Sequence, residues 1–421
     1  MAVGWLWEVW VSAARLARAA TAVAILSLAL GACAAKNSST SGSGGTSAAN
    51  GPVSLPAVST LPVPANAANP AGDGKAKCSG VTIAYAGAES GPNAQLGLNI
   101  VNGVQVEIIA HNKANAGCQV TLKKFDTGGD QAQAPGVVTQ VVSEKDIIGV
   151  VGLPFSGESK ATGKIFQTAG LVHITPSATN PSLTQNGWTT FYRALGNDNV
   201  QGPAAAKFIT GKLQAKKVCV VQDDSDYGIG LATAINGALG SAADAACADK
   251  VTTGQKDFSS TVSKINAAKP DAVFYSGYYA EGAPFDQQLV NGGYNGLFIG
   301  PDGVKDPKFI EQAGPASSNA YFTCPCVPGE LIPSFASAYK AVAGSAPGTY
   351  SLEGYDSATV LLKGIDSGIK DRAGMVNYVR NYNGDGLSKH LQWQPNGELA
   401  SSTVYGYKAQ NGQIVYVGTI G

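Results

Sequence analysis

"DIIGVVGLPFSGES", residues 146–159, decides the fold because a buried strand, a loop of small residues and the start of a helix follow one another in it. Its first seven residues are almost continuously apolar, which is typical of a strand covered on both faces of a parallel sheet. A helix that directly follows such a strand returns the chain to the same sheet edge. The stretch therefore predicts a βαβ unit.

The same unit recurs along the chain. "VTIAYAG", "QVTLKKF" and "LVHITP" complete a first set of four strands, and the alternation restarts near Asn197 with "KKVCVVQD", "DKVTTG", "DAVFYSG" and "GLFIGPDG". About 340 residues are more than one core usually serves. The sequence therefore predicts an α/β protein with two doubly wound parallel-sheet lobes. Residues 391–421 look β-rich, with a hairpin around Asn411 and Gly412.

The N-terminus indicates export. Arg15 and Arg18 precede an apolar run over residues 19–30 that is short for a membrane span. The run ends in "LGAC", which resembles the bacterial lipobox, and this resemblance implies a signal peptide over residues 1–33 with lipidation of Cys33. The alternative is an ordinary secretory signal in which the cysteine is incidental.

Residues 34–77 are dominated by Ser, Gly, Ala and Pro and contain few large apolar side chains. Such a segment cannot bury enough surface to offset the entropy of ordering. We expect a disordered tether that reaches on the order of 35–40 Å.

Cysteines beyond the lipobox are even in number, which predicts disulfides in an exported chain. Cys78 and Cys118 each begin a predicted strand, and Cys219 and Cys247 repeat that arrangement. Because consecutive strands are usually neighbours, we expect Cys78 to pair with Cys118 and Cys219 to pair with Cys247.

Cys324 and Cys326, in "CPC", form either a tight local disulfide or two thiols. A zinc site is not expected, because the chain has no CxxC pair and only three scattered histidines.

Composition and motifs argue against two other classes of protein. Charged residues are 14% of the chain and the formal net charge is zero, so no basic surface for nucleic acid is expected. The chain has no GxSxG motif, and "YGIGLAT" lacks the third glycine of a dinucleotide loop and follows acidic residues. We therefore expect neither an enzyme nor a cofactor or metal.

Ligands of open parallel sheets bind outside the carboxyl ends of the strands. The segments there are "GAESGPNAQLG", "GLPFSGES", "TPSATNP", "DDSDYGIG", "SGYYAEG" and "GPDGV", which are rich in hydroxyls, glycines and tyrosines. Glycines let main-chain N–H groups approach a ligand closely, and helix starts add further donors.

The chain resembles the leucine/isoleucine/valine-binding family of ABC-transporter substrate-binding proteins over nearly all of residues 79–421. Eight segments in register carry the resemblance: "SGPNAQLG", "VVGLPFSGES", "HITPSATNPSLT", "QGPAAAKFI", "DYGIGLA", "KDFSSTVSKI", "FYSGYYAEGAPF" and "FIGPDGV". It implies two lobes joined by several hinge crossings that close on a ligand. Residues 78–198 and 328–391 would form lobe 1, and residues 199–327 and 392–421 would form lobe 2.

By this resemblance, the ligand is a free amino acid, branched-chain or otherwise aliphatic and neutral. Its carboxylate would accept bonds from Ser156, Thr179 and main-chain N–H groups. Its ammonium would be bound by the Ser177 carbonyl, the Thr179 hydroxyl and the Asp302 carboxylate. The other residues implied to contact the ligand are Ala178, Tyr227 and Tyr278.

The sequence departs from the family around the ligand side chain. Many relatives have an aromatic residue at the position of Leu96 and a glutamate at the position of Asp302. Pro154 and Phe155 should also border the side chain, so its size is open. Each residue has a structural interpretation as well: Ser156 could cap a helix, and Asp302 could belong to a turn.

The resemblance implies an extracytoplasmic protein, anchored to the cell membrane through Cys33, that delivers its ligand to an ABC permease with a cytoplasmic ATPase. We expect a monomer. Two alternatives keep the fold: binding of an amide, urea or aromatic acid, and service as an extracellular solute sensor.

Overall fold

The structure is a computed structural model that describes residues 60–421. The predicted signal peptide, Cys33 and the predicted tether up to residue 59 lie outside the described residues. The rest of the chain builds two parallel-sheet lobes, as the sequence predicts.

Lobe 1 contains a five-stranded parallel sheet in the order β2-β1-β3-β4-β5. Its strands are β1 (Thr82–Gly87), β2 (Thr121–Asp126), β3 (Ile147–Gly152), β4 (His173–Thr175) and β5 (Phe191–Arg193). The strands β1 and β3 are buried at every position, whereas β2 is largely accessible because it lies at the edge. Its lysines, Lys123 and Lys124, suit an exposed edge strand.

The helices of lobe 1 are α1 (Ala94–Ala114), α2 (Ala134–Ser143) and α3 (Ser156–Ala169). Helix α1 buries Val101, Val104 and Ile108, while Leu98 is only partly buried. None of the helices within residues 60–421 is long and apolar enough to cross a membrane.

Lobe 2 contains a seven-stranded sheet in the order β14-β13-β10-β9-β8-β6-β7. Its parallel strands are β6 (Val218–Gln222), β7 (Asp249–Lys250), β8 (Ala272–Ser276), β9 (Leu297–Gly300) and β10 (Ala320–Cys324). The strands β13 (Tyr405–Gln410) and β14 (Gln413–Thr419) form the hairpin at Asn411 and Gly412 and add antiparallel to β10.

The helices of lobe 2 are α4 (Asp198–Lys207), α5 (Asp226–Leu239), α6 (Ser259–Ala268), α7 (Tyr279–Asn291) and α8 (Pro307–Ala313). The chain crosses between the lobes three times: before α4, after β10 and before β13. Three crossings favour a rigid-body hinge motion over free movement of the lobes.

After the second crossing the chain returns to lobe 1 with α9 (Pro333–Ala343), α10 (Ser351–Asp366) and α11 (Arg372–Arg380). A two-stranded hairpin, β11 (Asn383–Asp385) and β12 (His390–Gln392), follows them. The helices α1 and α10 approach closely because Gly103 has no side chain: a Cβ there would lie 2.0 Å from the Ser351 carbonyl oxygen.

The prediction that the tether extends to residue 77 is wrong. Residues 60–77 lie against lobe 1, where Leu61 N donates to Leu331 O at 2.9 Å and Ala68 N donates to Asp385 O at 2.7 Å. The Asn115 side chain donates to Ala71 O and accepts from Ala76 N. Composition alone could not show this. Parts of lobe 1 that are distant in sequence form hydrogen bonds with the main chain of this segment and so order it.

The prediction of a Cys219–Cys247 disulfide is also wrong, whereas Cys78 pairs with Cys118 as expected and Cys324 is joined to Cys326. Cys219 lies in β6 and Cys247 in the turn before β7, and the Cys219 thiol donates to the Cys247 main-chain carbonyl oxygen at 2.8 Å. Proximity of two cysteines does not by itself supply the sulfur–sulfur distance and dihedral angle that a disulfide requires.

Thiol titration tests this assignment in the full-length chain carrying Cys33→Ser. Denatured without reductant, the protein should release two thiols, those of Cys219 and Cys247. A further variant with Cys219→Ala and Cys247→Ala should release none. Absence of thiols in the first protein would show that Cys219 and Cys247 are joined after all.

Candidate ligand-binding cleft

A cavity lies between the lobes, at the carboxyl ends of the strands of both sheets. It is lined by Leu96, Pro154, Phe155, Ser156, Ser177, Tyr227, Tyr278, Asp302, Gly303 and Tyr350. The loops after β3, β4, β8 and β9 and the first turns of α1, α3 and α5 supply most of this lining. Ligands of open parallel sheets bind at this position.

Eight of the ten residues that the sequence predicts for the site line this cavity. The other two, Ala178 and Thr179, are buried in the loop 177–180 that follows β4. The structure thus brings both predicted groups together: the hydroxyls on lobe 1, and the tyrosines and Asp302 on lobe 2.

Hydrogen bonds within lobe 1 fix the loop 177–180. Thr175 Oγ1 accepts from Ala178 N at 3.0 Å, and Ser177 Oγ donates to Pro154 O at 2.8 Å. Ser156 Oγ accepts from Asn180 N at 3.2 Å, so this hydroxyl is engaged with the loop and keeps its own proton for another acceptor. Ser156 is already inside α3, because Phe155 occupies the capping position.

The Asp302 carboxylate is the main charged group of the cavity. Tyr227 donates to its Oδ1 at 2.6 Å and Tyr350 donates to its Oδ2 at 2.8 Å. Burial raises the pKa of Asp302, and both tyrosine bonds oppose that effect. A carboxylate oxygen accepts more than one hydrogen bond, so each retains capacity for a ligand.

Tyr350 was not anticipated from the sequence. It precedes α10 in a left-handed conformation with φ of 64° and reaches from lobe 1 to Asp302 on lobe 2. Inspection of the residues that follow strands could not find it, because Tyr350 follows none. Only the packing of α10 against α1 brings it to the cleft.

Asp198 is a second buried acid that the sequence did not single out. Within the described residues, neither of its carboxylate oxygens has a hydrogen-bond partner that meets normal geometry. Burial raises the pKa of Asp198 to about 8; the Thr179 side chain and the Arg193 charge oppose that effect, and Asp302 adds to it. Asp198 is therefore a buried acid that keeps its proton near neutral pH, behind the loop 177–180.

Aromatic rings form one wall of the cavity. Phe155 meets Tyr278 edge to face with ring centroids 5.0 Å apart, and Tyr227 lies 5.0 Å from Tyr278. Both Phe155 and Tyr278 also border a larger open space at the mouth of the cleft. This aromatic pair therefore separates the cavity from the mouth.

Contacts between the lobes close the cleft over the cavity. Asn99 on α1 donates to Asp306 Oδ2 at 2.9 Å, and Asn180 donates to the Asp226 carbonyl at 2.6 Å. Lys160 on α3 pairs with Asp226 at 2.5 Å. The lobes are thus in contact on both flanks, and the structure has the closed arrangement.

Metal binding has little support in residues 60–421. One group there has ligand atoms close enough to share an ion, namely His111, Cys118 and Asp366. Cys118 is joined to Cys78, so its sulfur cannot act as a thiolate ligand.

Asp198→Asn should alter how stability depends on pH. The folded state keeps the Asp198 proton up to about pH 8, whereas the unfolded chain loses it near 3.8. The free energy of unfolding that this proton contributes is full below about pH 4 and is lost as pH rises through 8. Between pH 5 and 7, wild type should lose up to ~1.4 kcal/mol per pH unit more than the variant. Urea unfolding at several pH values checks this, and equal slopes would contradict it.

Comparison with known proteins supports the fold and identifies the family. The family described as periplasmic binding protein matches residues 80–413. A relative from Pseudomonas aeruginosa, named a leucine-, isoleucine-, valine-, threonine- and alanine-binding protein, is 31% identical over 334 residues, which is 77% of this chain and 89% of the relative.

Two solved structures are similar over most of their lengths. A leucine-binding protein from Thermotoga maritima has a TM-score of 0.72 at 28% identity, covering 81% of this chain and 98% of that one. A branched-chain amino acid transporter substrate-binding protein from Streptococcus pneumoniae, in complex with isoleucine, has a TM-score of 0.73 at 26% identity, covering 80% and 99%. The chain therefore belongs to the periplasmic binding protein family, in its leucine/isoleucine/valine-binding group with the type I fold.

Proposed function

We propose that the chain is the substrate-binding protein of an ABC importer and that its cleft captures a free aliphatic amino acid. The observation that carries the proposal is the buried Asp302 carboxylate, which faces a lobe 1 loop of hydroxyls and main-chain groups. Within the described residues, no lysine or arginine lines the cavity. A zwitterion suits this arrangement better than a simple anion, which would need a positive partner.

The ammonium end of the ligand would bind at Asp302. An isolated carboxylate is costly in a closed cavity, and here burial raises its pKa. An ammonium beside it would restore the charged form and form a charge-assisted hydrogen bond. The Ser177 carbonyl and the Thr179 hydroxyl are the further acceptors that we propose for this group.

The carboxylate end would bind at lobe 1. The Ser156 hydroxyl still has a proton to donate, and the start of α3 presents main-chain N–H groups with a favourable dipole. The loop 177–180 supplies the Thr179 hydroxyl and its own N–H groups. Uncharged donors are sufficient for the ligand carboxylate, because the ammonium of the same ligand already neutralises its charge.

The ligand side chain would occupy the apolar part of the cavity. Leu96, Pro154, Phe155 and Tyr278 surround that part. A branched aliphatic side chain suits this space, and the relatives named above bind such ligands.

Binding would proceed by closure. The open form would take the amino acid onto lobe 1, for which we propose residues 78–198 and 328–391. Closure would then bring Tyr227, Tyr278 and Asp302 of lobe 2 onto the ligand. The closed form would be recognised by a membrane permease with its cytoplasmic ATPase, outside the cytoplasm, where a lipid on Cys33 would keep the protein at the membrane.

Asp302→Asn should weaken leucine binding by about tenfold or more, because a buried ammonium would lose its charged acceptor. Isothermal titration of the full-length protein measures this. The matched control is Asp286→Asn, which alters another buried aspartate of lobe 2 with a raised pKa that does not line the cavity. If Asp302→Asn binds leucine as wild type does, Asp302 is not part of the site.

A thermal-shift panel tests the ligand class itself. Leucine, isoleucine and valine should raise the melting temperature of the wild-type protein, because a ligand that binds the folded state stabilises it. Shifts only with benzoate, urea or amides would overturn the amino-acid assignment and leave the fold intact.

Phe155→Ala should change the selectivity of the site. Without the Phe155 ring, the cavity would open towards the mouth of the cleft, so phenylalanine should gain affinity relative to leucine. The ratio of the two dissociation constants measures this change. Phe335→Ala, which removes a buried ring outside the cavity, should leave the ratio unchanged. An unaltered ratio in Phe155→Ala would show that Phe155 does not limit the ligand side chain.

A further inference from the structure

Arg193, at the end of β5, is fully buried and holds the loop 177–180 from behind. Its Nη1 donates to Ala178 O at 2.7 Å and its Nη2 donates to Asn180 O at 3.0 Å. These two carbonyls flank Thr179. The guanidinium fork therefore fixes the peptide group before Thr179 and the peptide group after Asn180, and a lysine could not reach both carbonyls with a rigid geometry.

Glu398 is the charge partner of Arg193 and lies in the third crossing between the lobes. Its Oε2 is 3.0 Å from Arg193 Nε, and its side chain is 13% exposed. Its Oε1 accepts from Thr184 Oγ1 at 2.6 Å and from Asn197 Nδ2 at 3.0 Å. Asn197 belongs to the first crossing and caps α4 of lobe 2.

Main-chain bonds complete the connection between β5 and the third crossing. Arg193 N donates to Gly397 O at 3.1 Å, and Trp393 Nε1 donates to Arg193 O at 2.8 Å. A continuous set of polar contacts thus runs from the loop 177–180, through Arg193 and Glu398, to two of the three crossings.

We propose that Arg193 and Glu398 are positioning residues for ligand binding, which join the geometry of the loop 177–180 to the hinge. The inference rests on the proposed function of the cleft. Neither residue lines the cavity, so their effect on the ligand passes through the loop. A buried ion pair is weak evidence for stability, because apolar residues of similar volume often serve as well. Apolar residues could not donate the two hydrogen bonds that Arg193 makes to the loop carbonyls.

The first test is Glu398→Gln in the full-length protein, with Asp366→Asn as the matched control. Asp366 is 17% exposed and pairs with the buried His111 at 2.8 Å on lobe 1, away from the cleft. Both variants remove one charge from a partly buried pair. Glu398→Gln should weaken leucine binding by about tenfold, which corresponds to ~1.4 kcal/mol, whereas the control should bind as wild type does.

Hydrogen exchange of the unliganded proteins separates positioning from a general loss of stability. Amide exchange in the loop 177–180 should accelerate in Glu398→Gln and stay unchanged in Asp366→Asn, even where both lower the melting temperature. Wild-type affinity together with wild-type loop protection in Glu398→Gln would overturn the proposal.

A double variant, Arg193→Met with Glu398→Met, keeps the test decisive if Glu398→Gln does not fold. The double variant leaves no buried charge unpaired, so it should fold. It should still show faster amide exchange in the loop 177–180 and weaker leucine binding than wild type. A double variant with unchanged loop exchange would overturn the proposal. If wild type itself does not bind leucine, the proposed function fails, and loop exchange still decides the role of Arg193 and Glu398.

Discussion

The closed cleft depends on the Asp302 carboxylate, which receives hydrogen bonds from both lobes. Tyr227 reaches it within lobe 2, and Tyr350 reaches it from the start of α10 on lobe 1. A buried carboxylate is tolerated only where donors satisfy it. The same group thus joins the lobes and lies at one end of the cavity, so that closure and the proposed binding of a positive ligand group would have one physical origin.

The hinge is built around buried charges as well. Lys389 pairs with Glu353 at 2.8 Å, and its ammonium lies 3.3 Å from the carbonyl oxygen of Ala194 and 3.5 Å from that of Pro325. Those carbonyls belong to the first two crossings. A buried ion pair contributes little net stability, but breaking it is costly. The pair between Lys389 and Glu353 therefore holds the first two crossings in fixed positions relative to each other. This arrangement suits the closure that we propose, in which the lobes move about the crossings as rigid bodies.

Much of the fold and the site followed from the sequence. Apolar strands alternating with amphipathic helices predicted two parallel-sheet lobes, and the carboxyl-end rule placed Ser156 and Asp302 at one cleft. These inferences need only short stretches of sequence. The hydrophobic period of each strand or helix, and the residues that follow each strand, can be recognised without knowing the tertiary structure. The assignment of ligand roles to those residues stays a prediction, since it comes from the family resemblance.

Tertiary structure decided what depends on contacts between distant segments. The bond from Tyr350 to Asp302 and the burial of Asp198 require α10 and α4 to pack beside the cleft. That Cys219 and Cys247 are free thiols depends on side-chain geometry, which the order of strands along the sequence leaves open. The sequence by itself determined the architecture and the edge at which a ligand would bind. Only the packed chain decided which polar groups meet there, because burial and pairing are properties of the assembled interior.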